Sequence, residues 1–275
     1  MSHGIRISPG EVHARDSTSV LIESGSNGNR FRRNDFTYGG DGVFIRSLNG
    51  FISTGNVFEE NDASYAHNNA WEVWDPGNVF IRNKGNHSSY GFWLGGSCHA
   101  VLIENEAAYN GRRRANAPES FGNAGIAVVN GSSSHFIMKR NHIHHNKSVG
   151  VAIRYKEDMK AYHWIIQQNV ITDNETYGIY IKHAHWLDVS GNQFERNGSG
   201  DVLTDGDVSG LNERQSTLGD REPICRSRVS TLVAAQGEAI EFDASSSEDP
   251  EGRPLVYRWE LGDGTVQDSA RFRHV

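Results

Sequence analysis

The chain has 275 residues, a formal net charge of −7, 36% hydrophobic residues and 30 glycines. That length allows one large domain beside a small one. The acidic balance gives no general affinity for nucleic acid, and no apolar stretch approaches the roughly 18 residues of a membrane span. So little hydrophobic residue with so much glycine suits short strands and tight turns, and argues against a helical bundle.

Met1-Ser2-His3-Gly4 runs directly into strand-like Ile5-Arg6-Ile7, without the apolar stretch of a secretory signal. From there an Asn follows a short apolar run seven times, usually with a second Asn five residues later. The pairs are Asn29/Asn34, Asn56/Asn61, Asn105/Asn110, Asn141/Asn146, Asn169/Asn174 and Asn192/Asn197, with Asn83/Ser88 as a degenerate copy. The first members are 27, 27, 22, 36, 28 and 23 residues apart, a period that marks a repeat architecture. Between them lie Gly-Val-Phe-Ile (42–45), Gly-Phe-Trp-Leu (91–94), Gly-Ile-Ala-Val (125–128), Gly-Val-Ala-Ile (150–153) and Gly-Ile-Tyr-Ile (178–181). Period two puts Ile179 and Ile181 on one face and Tyr180 and Lys182 on the other. Stacked copies would bury the aliphatic face in a continuous core, with Asn at turns where it tolerates left-handed backbone and bonds its equivalent one coil away.

This pattern, over residues 4–203, resembles the right-handed parallel β-helix, specifically the Asn-rich carbohydrate-binding and sugar-hydrolase repeats. The implied fold class is all-β. The 36-residue interval between Asn105 and Asn141 holds an insertion, about Gly111 to Asn123, with Arg112-Arg113-Arg114 and Pro118-Glu119; Tyr155 to His163 is a smaller excursion. Insertions in solenoids map to loops on one face, often the binding face. Residues 204–227, rich in Asp, Gly, Ser and Arg, read as a linker. Beyond it, Phe242-Asp243-Ala244-Ser245, Asp249-Pro250-Glu251-Gly252 and Trp259-Glu260-Leu261-Gly262-Asp263-Gly264 resemble, in order, the start of a polycystic-kidney-disease (PKD) domain, an immunoglobulin-like sandwich. The expected organisation is a β-helix over 1–203, a linker over 204–227 and an incomplete PKD-like segment over 228–275. The first coil starts at Gly4 without a cap, so the chain is expected to be a piece of a longer protein.

Aligning the Gly-initiated strands gives two outward columns. One runs Arg6, Phe44, Glu72, Trp93, Ala127, Ala152, Tyr180; the other runs Ser8, Arg46, Trp74, Gly95, Val129, Arg154, Lys182. Asp75, Asn130, Tyr155 and His183 lie just past them. With coils about 4.8 Å apart the columns form one elongated face that suits a sugar chain. Aromatic rings would pack on sugar C–H faces, and charged groups would take hydroxyls or carboxylates. Arg46, Trp74, Trp93, Tyr180 and His183 are the expected substrate-binding residues.

Two catalytic sets are open. Glu72 and Asp75 could be the two carboxylates of a glycoside hydrolase. Arg154 and Lys182, beside Tyr180 and His183, resemble the equipment of uronate lyases and epimerases, which need a cation against the substrate carboxylate and a base for the C5 proton. The paired Asp of polygalacturonases is absent, and Asp75-Pro76-Gly77-Asn78 only half matches the Asp-Pro-His-Asp of alginate epimerases. In Asn141-His142-Ile143-His144-His145-Asn146, His142 and His144 would share the outward face about 7 Å apart. Glu106 would lie one coil away, a spacing that could hold zinc or copper. The expectation is nonetheless no cofactor, with calcium or a transition metal unsupported. The overall expectation is an extracellular or cell-surface monomer acting on an acidic polysaccharide by lyase or epimerase chemistry. Glycoside hydrolysis is the enzymatic alternative, and non-catalytic glycan binding or adhesion is the other.

Overall fold

The computed structural model describes residues 18–111, 124–129, 133–155, 157–213, 225–231, 237–248, 254–261 and 263–275. Arg6, Ser8, Asn130, the Arg112–Arg114 run, Pro118 and Glu119 lie outside them. The chain divides into two compact units, Met1–Ser216 and Thr217–Val275. Every element among the described residues is a strand, and no helix is long and apolar enough to cross a membrane.

The first unit is a parallel β-solenoid. One side of each coil supplies β1 (Val20–Ile22), β3 (Val43–Ile45), β5 (Asn69–Val73), β7 (Tyr90–Leu94), β10 (Ile126–Val129), β13 (Val151–Arg154), β16 (Tyr177–Asp188) and β18 (Gly200–Ser209). A second side supplies β2 (Arg30–Arg32), β4 (Val57–Glu59), β6 (Val79–Ile81), β8 (Val101–Ile103), β11 (Ile137–Lys139) and β14 (Ala161–Gln167). A third supplies β9 (Glu106–Ala108), β12 (His142–His144), β15 (Val170–Thr172) and β17 (Gln193–Glu195). β16 pairs first with β13 and then with β14, so it carries the sheet around a corner. β18 reaches Ser209, so Thr204 to Ser209 of the segment expected as linker are strand. The second unit holds β19 (Arg228–Val229), β20 (Ile240–Asp243) and β23 (Arg271–His274) in one antiparallel sheet, and β21 (Trp259–Glu260) with β22 (Val266–Gln267) in another. Phe242, Trp259 and Phe272 pack together there, with ring centroids 5.0–5.7 Å apart.

Inward residues alternate as the period-two pattern requires. Val43, Ile45, Trp71, Val73, Phe92, Leu94, Ile126, Val128, Ile179 and Ile181 are fully buried. Phe31, Phe58 and Phe80 stack with centroids 4.8 and 5.2 Å apart. Gly42, Gly91, Gly125, Gly150 and Gly178 stand where coils approach closely: a Cβ on Gly125 would sit 2.7 Å from Asn146 Nδ2 and 2.8 Å from Gly150 O.

The coils are locked by asparagine ladders. Asn34, Asn61, Asn83, Asn105, Asn141, Asn169 and Asn192 form one column, in which each Nδ2 donates to the next Oδ1 at 2.9–3.1 Å. The second Nδ2 hydrogen goes to a strand carbonyl, as from Asn141 to Leu102 O at 3.0 Å. Asn110, Asn146, Asn174 and Asn197 form another column, headed by Ser88, and Asn29, Asn56 and Asn78 a third. This corrects the repeat frame. Asn83 stacks on Asn61, not on Asn56; the rung below Asn56 is Asn78, 22 residues on. The five-residue spacing occurs at two different corners, because each corner pair brackets a three-residue strand and a left-handed residue before the second member. Arg33, Glu60, Arg82, Glu104 and Arg140 hold that left-handed position at φ 52–57° in one column, and Tyr109 and His145 hold it at 57° and 55° in the other.

Asn141 uses both side-chain donors and accepts from Asn105 N and Nδ2 while 1% exposed. Replacing it with Ala strands several buried polar groups, each worth about 1–3 kcal/mol. N141A is expected to lose about 3 kcal/mol in urea unfolding with an unchanged m value. N29A, at an exposed rung, is expected to lose less than about 1 kcal/mol. Equal losses would contradict the ladder account.

Candidate functional site

The register sets the outer face. Leu21, Phe44, Glu72, Trp93, Ala127, Ala152, Tyr180 and Leu203 are consecutive cross-strand partners. Leu21 of β1 stands above Phe44. In the second column Val129, Arg154, Lys182 and Asp205 are partners, and Trp74 follows the pair Ile45–Val73, which sets it across from Arg46. Glu72 therefore shares a face with Trp93 and Tyr180. It does not meet Lys182: from Glu72 to Tyr180 is four rungs, about 19 Å at ordinary strand spacing. Between them the face is not an open groove. Ala127 and Ala152 are fully buried in a small apolar cluster with Tyr90, Ala124 and Val149, against which Trp93, Tyr177 and Tyr180 pack.

The first cluster centres on Glu72. Its Oε2 accepts from Asn69 Nδ2 at 2.9 Å and its Oε1 from Trp74 Nε1 at 3.0 Å. Burial, and next the Asp41 carboxylate, push the Glu72 carboxyl up to about 8. Asp41 Oδ1 in turn accepts from Asn68 Nδ2 and Asn69 N, both at 3.0 Å. The Asp41 charge disfavours ionisation of Glu72, so Glu72 keeps its proton to higher pH than an ordinary glutamate. Trp74 is 44% exposed, edge-on to Phe44 at 5.0 Å and 6.4 Å from Trp93. The Arg46 guanidinium lies 5.2 Å over the Phe44 ring, and its Nε donates to Glu23 Oε2 at 2.9 Å. That contact uses one of five guanidinium N–H groups.

Asp75 does not join this cluster. It is 1% exposed and accepts from Ser47 Oγ at 2.5 Å and Ser53 N at 2.6 Å, which fixes the turn after β5. The second cluster lies at β13, β16 and β18. Asp205 Oδ2 accepts from Lys182 Nζ at 2.8 Å and Tyr180 OH at 3.0 Å. Lys182, first, and Tyr180 hold the Asp205 carboxyl below its usual range, and burial followed by the Asp205 bond raises the Tyr180 phenol. Arg154 adds its charge to both Tyr180 and Lys182. His183 sits in the bulge between Lys182 and Ala184, where its Nδ1 accepts from Asp207 N at 3.1 Å.

His142 and His144 do not stand 7 Å apart on open surface. Their rings are 4.0 Å apart, and His144, 8% exposed, brings its Nδ1 to 2.8 Å from His145 Nδ1. Glu106 lies 3.5 Å from His144 Nε2. No group of three or more His, Cys, Asp or Glu among the described residues is placed to hold a metal ion. Sequence alignment missed Asp41 because the columns were framed from the glycine that follows it. It missed Asp205 because the repeat was closed at Leu203; one more coil in register would have set Asp205 beside Lys182.

Two family models match the sequence. One, described as a right handed beta helix region, matches residues 2–153 and 64–213; the other, described as a PKD domain, matches residues 221–275. No curated protein sequence matches the chain. Among solved structures, the chain is similar to a double mutant of the periplasmic alginate epimerase AlgG, at 13% sequence identity and a TM-score of 0.46, over 68% of this chain and 50% of that one. The chain thus spans about half the length of that protein.

The Glu72 shift has a consequence for stability. The folded chain keeps a proton that the unfolded chain releases above the ordinary glutamate value of 4.5. Stability from this group is complete below that value and is lost as pH rises toward about 8. E72Q removes the titration, so its stability is expected to fall less than that of the parent between those values, read as urea midpoints across pH. Parallel curves would show that Glu72 ionises normally.

Proposed function

The chain belongs to the right-handed β-helix family, and from that premise we propose that it is an exported, carbohydrate-active protein that performs proton-transfer chemistry on an acidic polysaccharide. The observation that carries this reading is the Glu72 carboxyl, bonded by Asn69 and Trp74 beside the exposed Trp74 ring and raised by burial and by the neighbouring Asp41 carboxylate. A sugar would lie across Phe44, Trp74 and Trp93, with the remaining N–H groups of Arg46 toward a uronate carboxylate. The ionised member of the pair would withdraw the C5 proton and the protonated member would return one, either to the leaving oxygen, as in a lyase, or to the ring, as in an epimerase.

Two-carboxylate glycoside hydrolysis fits this site less well. It needs two carboxyls facing one sugar bond, whereas Asp75, the second carboxylate expected for it, is buried and bonded to Ser47 and Ser53. The Lys182 end is a secondary binding region in this reading, because Asp205 already holds its cation. An acidic polysaccharide as substrate fits an exported protein.

The test is a panel of acidic and neutral polysaccharides, followed by near-ultraviolet absorbance, reducing ends and uronate configuration. Absorbance or epimerisation on a uronate polymer is expected, with E72Q and R46A each slower by at least about 100-fold. New reducing ends without absorbance would move the reading to hydrolysis. Binding that W74A abolishes, without any product, would show a glycan-binding protein and overturn the enzymatic reading.

A further inference from the structure

The last coil carries a second set of chemically competent side chains, away from the Asp41–Glu72 pair. Ser209 on β18 is the register partner of His185 on β16, and its Oγ stands 2.6 Å from His185 Nδ1. The other ring nitrogen, Nε2, lies 3.6 Å from Asp207 Oδ2. Asp207 and Ser209 are two residues apart on one strand, and both meet the same imidazole. Tyr162 of β14, the partner of His185 on the opposite side, stacks on that ring with centroids 5.5 Å apart. Lys160 forms an ion pair with Asp207 and holds its carboxyl ionised, below the ordinary range. The order is that of a nucleophile, a base and an orienting carboxylate. The His185 side chain is 13% exposed, while Ser209 is open to solvent. Gly210 follows Ser209 at φ 63°, and its backbone N–H has no backbone acceptor among the described residues.

We propose that Ser209, His185 and Asp207 form a serine-hydrolase site that cleaves an acyl ester, specifically an O-acetyl group on a sugar hydroxyl. The assignment to a sugar rests on the polysaccharide reading above; the ester chemistry does not. His185 Nδ1 takes the Ser209 hydroxyl proton as Oγ attacks the ester carbonyl carbon. The carbonyl oxygen gathers negative charge toward the Gly210 N–H. The C–O bond to the sugar then breaks, and Nδ1 passes its proton to the departing oxygen. Water enters, gives a proton to Nδ1 and attacks the acyl carbon. Acetate leaves and Oγ recovers its proton, so ester and water become alcohol and carboxylic acid. The Asp207 carboxylate, 3.6 Å from Nε2, supports the imidazolium charge in both halves.

The test uses the full chain with 4-nitrophenyl acetate, a fluorophosphonate probe and acetylated polysaccharides. Nitrophenolate release and one phosphonyl adduct on the peptide carrying Ser209 are expected. S209A, a change at an exposed position, is expected to lose the adduct and at least about 100-fold of the rate, and H185A the same rate. Failure to form the adduct, or an unchanged rate in S209A, overturns the site. The small ester carries no sugar, so its result stands apart from the polysaccharide screen. Hydrolysis of the small ester without acetate release from any acetylated polysaccharide would overturn the sugar-ester assignment alone.

Discussion

Coil-to-coil hydrogen bonding by buried asparagine is the interaction on which the rest of the first unit depends. A left-handed corner residue followed by Asn turns the chain and presents one amide to the next coil. Because that amide accepts twice and donates twice within the stack, a coil out of register would leave buried donors and acceptors unpaired. The corners tolerate any side chain that survives the left-handed position outside the core, and the sequence uses this freedom. One column alternates Arg33, Glu60, Arg82, Glu104 and Arg140 with ion pairs along it. Another stacks Tyr38, Tyr65, His87, Tyr109 and His145 with ring centroids 4.7–5.1 Å apart. Surface charge pairs are individually weak, so these columns follow the register that the asparagines set.

The same lock decides which outer groups can cooperate. Side chains meet when they sit on the same or adjacent rungs, as Glu72 meets Trp74 and Asp41, or as His185 meets Ser209. Glu72 and Lys182, both outward, are too many rungs apart to share one reacting atom. The buried Ala127 and Ala152 between them divide the outer columns into two separate clusters.

The fold was legible in the sequence because its signals are local and repeated. Gly-initiated alternation found β10, β13 and β16 and their inward residues, and the Asn columns gave the corners. What misled was the ambiguity of the five-residue Asn spacing, since Asn56/Asn61 and Asn105/Asn110 bracket strands on different sides of the coil. The site was legible only in part. Placing Glu72, Trp93 and Tyr180 in one column needed period two alone. Seeing that Asp75 turns inward to Ser47 and Ser53, or that Asp41 lies against Glu72, needed the conformation of the turns that precede and follow β5. The Ser209–His185–Asp207 arrangement was hidden because the repeat pattern was read only to residue 203, short of Asp207 and Ser209.

The most direct measurement is a carbon-detected NMR titration of the glutamate side-chain carboxyls, with E72Q used to assign the Glu72 signal and D41N as the comparison. Burial beside the Asp41 carboxylate predicts that Glu72 ionises near 8 in the parent and at lower pH in D41N, where the facing charge is gone. Ionisation of Glu72 in the ordinary glutamate range, unchanged by D41N, would contradict the carboxyl pair and with it the proton-transfer function built on it.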